Sequence, residues 1–262
     1  MINNDDCTMM SRRGVLGLLG VLGVKALAGC SGDSGSDAAM GTPTPGSAPT
    51  PSPAMLSCIV TPAETEGPFF VDERFDRSDL TAGATNPAVL GALPLVLRLA
   101  VYQVNGDACA PVAGVQVDVW HADAAGTYSD EQSEGTVGRT DLRGYQLTDQ
   151  SGVVQFRTVY PGWYPGRAVH IHFKIRTFTS SGATASDFTS QLYFDEATTD
   201  AVFARAPYNS RGPRDTTNAA DSIYSAALAD GTASGAHLML DLAPAGSGSG
   251  YVAGFTIGLR AG

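Results

Sequence analysis

Over residues 169–175 the chain alternates strictly, with Val169, Ile171, Phe173 and Ile175 apolar and His170 and His172 set between them. A period of two fits an extended strand, whose successive side chains point to opposite faces. The apolar face must be covered by a second layer, so this segment commits the chain to a layered β architecture. The other face carries two of the chain's four histidines side by side. Two imidazoles at i and i+2 on one strand face can chelate a single metal ion. Just upstream, residues 160–167 read Tyr-Pro-Gly-Trp-Tyr-Pro-Gly-Arg, and a Pro-Gly break there lets Tyr164 fold back toward the same point. Imidazole with phenolate suits a hard ion such as Fe(III) better than Zn(II), which takes Cys, His or carboxylate. The plainer alternative is a pair of half-exposed polar histidines.

Short alternating runs recur along the chain. Strands are expected over 95–104, 115–120, 143–148, 153–160, 169–177, 191–194 and 251–259. Turn residues punctuate them, as in Asn105-Gly106-Asp107 and Asp149-Gln150-Ser151-Gly152. Only two short helices are expected, over 198–205 and 222–229. This pattern, in a chain with 31 Gly and 15 Pro, predicts an all-β fold: an antiparallel β-sandwich with short helices and long loops. Tyr128 follows the alternating run Val117-Asp118-Val119-Trp120 and a Gly-containing turn, which would present it at a sheet end.

A formal net charge of −10 leaves no basic stripe to neutralise phosphates, so nucleic acid is not an expected partner. The N-terminus carries different information. Ser11-Arg12-Arg13-Gly14 precedes a weakly apolar, Gly-rich run over 15–28, too short to span a membrane comfortably. Twin arginines before such a run resemble a Tat export signal. The run ends Leu27-Ala28-Gly29-Cys30, which looks like a lipobox. Residues 1–30 are therefore expected to be a Tat-type lipoprotein signal. Lipidated Cys30 would be the sole membrane attachment, with the protein anchored at the cell envelope, periplasmic or extracellular. Residues 31–54, rich in Pro, Ser, Gly and Thr, are expected to be a tether, and 55–262 the folded domain. Cys58 and Cys109 then remain as an even pair. A disulfide is expected in an oxidising compartment, the alternative being two buried thiols.

Four segments carry a resemblance. Residues 61–69 read T-P-x-x-T-E-G-P-F, and 120–128 read W-x-A-D-x-x-G-x-Y. Residues 161–164 read P-G-x-Y, and 167–173 read R-x-x-H-I-H-F. In this order they resemble the intradiol ring-cleavage dioxygenases, the catechol and protocatechuate dioxygenases, over about residues 58–259. One departure is Ala168-Val169, where many members carry a proline before the first histidine; it touches neither ligand nor charge.

The resemblance implies a β-sandwich enzyme that cleaves a catechol-type ring between its two hydroxylated carbons using O2. It implies one Fe(III) per chain, held by Tyr128, Tyr164, His170 and His172. By the same resemblance Tyr164 leaves the ion and takes a catechol proton, and Arg167 stabilises carbanion-like character in the bound substrate. Gln191 would line the pocket near the arginine. His121 and His237 are expected to be structural, His121 ordering the turn before Tyr128, and Trp163 to be an aromatic cap. Two other readings compete. A non-catalytic surface β-sandwich binding module would suit the tether, and a zinc or copper enzyme would use the H-x-H pair. The first has no reason to keep these residues together, and the second leaves both tyrosines without a task.

Overall fold

The computed structural model of the protein describes residues 58–246 and 248–261. The expected export signal over 1–30, Cys30 and the tether over 31–54 lie outside the described residues. Among the described residues no helix is long and apolar enough to cross a membrane.

The strands in chain order are β1 (Pro94–Asn105), β2 (Ala108–Pro111), β3 (Gln116–Trp120), β4 (Arg143–Leu147) and β5 (Val153–Val159). They continue with β6 (His170–Phe178), β7 (Thr184–Tyr193), β8 (Asp241–Pro244) and β9 (Tyr251–Arg260). One sheet runs β2-β1-β9-β8, with β5 also paired to β1; the other runs β4-β3-β6-β7. All pairings are antiparallel except β1 with β9. The result is the expected β-sandwich, with α-helix among the described residues limited to α1 (Pro87–Leu90) and α2 (Glu196–Phe203), beside four short 3-10 turns.

The core follows from the alternation. Leu95, Leu97, Leu99 and Val101 of β1 join Val117 and Val119 of β3 and Ile171, Phe173 and Ile175 of β6 in one buried cluster. Burying each such side chain stabilises the fold by about 1.5–3 kcal/mol. The opposite face of β6 holds His170, His172, Lys174 and Arg176, and these too are buried. A polar face can be buried only with partners. The partners come largely from residues 61–79, a strap with almost no regular structure. Its Asp72, together with Asp118 of β3, pairs with Arg176. Its Glu66 pairs with Lys174.

Three sequence expectations need correction. Strand β7 starts at Thr184, well before residue 191, because its first half is an exposed polar edge without alternation. Residues 222–229 form turns and not a helix. There the Asp230-Gly231 turn reverses the chain, with Leu228 N donating to Thr232 O at 2.8 Å. The short strands β2 and β8 were not evident, since each is four residues long and mostly exposed. Cys58 and Cys109 form a disulfide, which resolves the two alternatives for that pair.

Candidate metal centre

His170 and His172 lie on the polar face of β6, both almost completely buried. His170 Nδ1 donates to Ala168 O at 2.6 Å, which leaves its Nε2 lone pair free. That Nε2 lies 3.0 Å from His172 Nε2. His172 is held flat by stacking, its ring 4.9 Å from that of Trp120 at an interplanar angle of 6°. The stack is possible because Trp120 and His172 are cross-strand partners. Burial makes protonation of either imidazole unfavourable, lowering His170 to about 3 and His172 well below the ordinary value. Both rings are therefore neutral at physiological pH, as ligation requires.

Two phenols converge on the same nitrogen. Tyr164 Oη lies 3.1 Å from His170 Nε2, and Tyr128 Oη lies 3.5 Å from it. Tyr128 arrives on a loop that Asp123 shapes, its Oδ1 accepting from Ala125 N at 2.9 Å and Thr127 N at 3.1 Å. His121 is structural, as expected, but the turn itself is held by Asp123. His121 instead donates from Nδ1 to Ala122 O and accepts at Nε2 from Thr158 Oγ1 of β5, bracing one sheet against the other. The backbone of Tyr128 is pinned on both sides, its N donating to Glu134 at 2.7 Å and its carbonyl accepting from Thr136 Oγ1. Phe69 of the strap stacks on its ring at 4.3 Å. Tyr164 is less enclosed, only partly buried on the Pro-Gly loop. Burial raises both phenols above their ordinary pKa, so in this environment each phenolate needs a nearby cation.

The donor set fits a metal ion. Ligands about 2.0–2.2 Å from one ion stand about 3.0–3.5 Å from one another, which is the spacing of the other three donor atoms from His170 Nε2. Four donor atoms, His170 Nε2, His172 Nε2, Tyr128 Oη and Tyr164 Oη, could hold it. Among the described residues no group of three or more His, Cys, Asp and Glu is arranged to hold an ion. The phenols are what complete this set.

Arg167 and Gln191 stand beside these four. Gln191 is the cross-strand partner of His172, so the β6–β7 hairpin delivers it despite its distance in sequence. Arg167 donates from Nη2 to Gln191 Oε1 and from Nε to Asp221 Oδ2 at 2.9 Å, with Nη1 3.5 Å from Tyr164 Oη. Gln191 Nε2 donates to Thr65 O at 2.8 Å, tying the strap into the cluster. Trp163, expected as a cap, is packed into the main core. His237 is exposed, against Thr232. Sequence reasoning missed Asp221, which no local motif marks. It also gave no task to Phe69, to Arg143, whose Nη1 donates to Phe69 O, or to Glu64, which accepts from Tyr193 Oη at 2.7 Å.

The fold is a β-sandwich in which two phenols and two imidazoles meet at one buried point beside the polar face of β6. Residues 65–210 match the sequence profile of a family described as Dioxygenase. Catechol 1,2-dioxygenase 1 of Acinetobacter lwoffii is 30% identical over 131 residues, 43% of this chain and 41% of that protein. Chlorocatechol 1,2-dioxygenase of Pseudomonas sp. (strain P51) is 31% identical over 158 residues, 50% of this chain and 54% of that protein. The chain thus spans about half the length of these relatives. A solved intradiol ring-cleavage dioxygenase from Tetranychus urticae superposes with a TM-score of 0.63 at 26% identity, covering 78% of this chain and 95% of that one. The chain belongs to the intradiol ring-cleavage dioxygenase family.

Proposed function

We propose that the protein is an Fe(III)-dependent intradiol dioxygenase that opens a catechol-type ring between its two hydroxylated carbons with O2. The observation that carries this reading is the convergence of Tyr128 Oη, Tyr164 Oη and His172 Nε2 within 3.0–3.5 Å of His170 Nε2. When bound, Fe(III) would supply a Lewis-acidic centre that makes a chelated catechol electron-rich toward O2. The hard phenolate oxygens of this set stabilise the ferric state.

The side chains divide the remaining work. Tyr128, fully buried and backed by Phe69, is the fixed ligand. Tyr164, on a partly exposed loop, is the base: its Oη takes a proton from the incoming catechol. Arg167 faces that oxygen at 3.5 Å and offsets negative charge on the deprotonated substrate. Gln191 holds the guanidinium in place. Strap residues Gly67 and Phe69 lie against His172 and Tyr128 and exclude water from the histidine side.

Export and lipid anchoring through residues 1–30 and Cys30 are part of the same proposal. The Cys58–Cys109 disulfide supports it, since such bonds persist in oxidising compartments. The catalytic reading is tested with iron-loaded protein and a panel of catechols, following oxygen uptake and identifying products. Ring-opened dicarboxylic products with both oxygen atoms from O2 are expected. A colourless iron-loaded protein that consumes no oxygen with any catechol would overturn it.

A further inference from the structure

Asp221 lies beyond the residues matched by the family profile, and its side chain is completely buried. Each of its oxygens has a separate task. Oδ1 accepts from Ile223 N at 2.8 Å and Tyr224 N at 3.4 Å, closing its own turn. Oδ2 accepts from Arg167 Nε at 2.9 Å and Ala168 N at 2.8 Å, reaching across to the segment that enters β6. The turn is itself fixed: Asn218 Nδ2 donates to Phe194 O at 2.9 Å, and Asn218 N donates to Glu196 at 2.6 Å. The carboxylate is thus preset before it meets the arginine.

We propose that Asp221 is a positioning residue, which fixes the Arg167 guanidinium so that Nη1 faces the Tyr164 oxygen. The inference rests on the ring-cleavage reading above. A guanidinium is planar, and two contacts at different nitrogens fix its orientation. Here those contacts are Asp221 at Nε and Gln191 at Nη2, and together they direct Nη1 toward Tyr164. Gln191 is neutral, so it leaves the guanidinium charge without a counterion. Asp221 offsets that charge from the side away from Tyr164. A turn brace alone would need only an acceptor for backbone N–H groups, which Asn also provides. A buried carboxylate aligned on the arginine meets a further requirement, because an unpaired buried charge is costly.

The test is a double-mutant cycle on iron-loaded protein with Asp221→Asn, Arg167→Ala and the double variant. Iron content, thermal midpoint, the visible tyrosinate band, and kcat and KM for catechol are measured for each. Asp221→Asn should retain iron and lower kcat by about tenfold or more, with a smaller change in KM, and should displace the resting band. In the Arg167→Ala background the same change should alter kcat by less than about twofold and leave the band in place. Asp221→Glu, which keeps the charge but moves it, serves the same cycle should Asp221→Asn not fold. Equal losses in both backgrounds, or a wild-type kcat and band in Asp221→Asn, would overturn the assignment. An active wild type with an additive cycle sinks only Asp221's role. An iron-loaded wild type without band or activity sinks the ring-cleavage reading and this proposal with it.

Discussion

Tyr128 and Tyr164 offer the same phenol oxygen from different settings. Tyr128 is 1% exposed, its backbone is hydrogen-bonded on both sides and Phe69 covers its ring. Tyr164 stands on a Pro-Gly loop with Arg167 against its oxygen. Phenolate character at Tyr164 is therefore supported by a fixed cation, whereas at Tyr128 it would depend more on a bound ion. Tyr164→Phe should still bind iron and catechol, with an altered resting spectrum and slow turnover. Tyr128→Phe should alter the spectrum both with and without catechol. Anaerobic visible spectra of both variants decide this. If adding catechol leaves the two variants equally unlike wild type, the roles are wrongly divided. His170→Ala should lose iron and colour together while the strand persists, because the apolar face of β6 is untouched. Iron content equal to wild type would remove His170 from the ligand set.

At the scale of elements, the two tyrosine-bearing loops are locked to each other through glycines. A Cβ on Gly126 would lie 1.9 Å from Trp163 O, and its φ of +78° already disfavours other residues. A Cβ on Gly162 would lie 2.5 Å from the carbonyls of both Asp123 and Ala124. The loops approach backbone to backbone, which only glycine allows. Gly126→Ala should therefore cost at least about 1–3 kcal/mol in unfolding free energy and reduce iron retention as well. Urea denaturation with an iron assay measures both; wild-type values in each would show that the loops are not coupled in this way. Much of this architecture was legible in sequence, because β3, β5, β6 and β9 alternate, and β1 alternates loosely, around one apolar core. The edges were not: the first half of β7 and all of β2 and β8 are exposed and lack a pattern. At the site, Arg167, Tyr164 and the histidines lie within nine residues and read as one stretch. Asp221 does not, since its partnership with Arg167 is made by the turn after α2, 54 residues away.

Across the whole molecule, stability and site geometry share the same long-range ties. His121 bridges the two sheets while neutral, and burial lowers its pKa to about 4. The unfolded chain takes up a proton near the ordinary value, about 6.5, before the folded one does. Its contribution is therefore complete above that pH and is lost as pH falls toward about 4, by about 3 kcal/mol at most. Comparing His121→Gln with wild type by urea denaturation at about pH 7.5 and pH 4.5 isolates this term. The variant should lose less stability on acidification, and equal losses would exclude His121 as the source. The strap is the second tie. It is anchored at one end by the Cys58–Cys109 disulfide and by Thr61, whose N donates to Gly258 O at 2.9 Å. From there it runs over the donor cluster, supplying Thr65 to Gln191, Gly67 to His172 and Phe69 to Tyr128. The disulfide closes a loop with a sequence separation of 51 residues. In the chain-entropy account a loop of that length contributes about 4 kcal/mol by restricting the unfolded chain. Cys109→Ser should therefore lower stability by up to that amount. The resting visible spectrum should survive, because the hydrogen bonds from Thr61 onward still seat the strap over the ligands. Thermal melts with and without a reductant, read together with the tyrosinate band, make the check. A melt indifferent to reduction would show that the bond adds nothing to stability, and a lost band would show that it also holds the site.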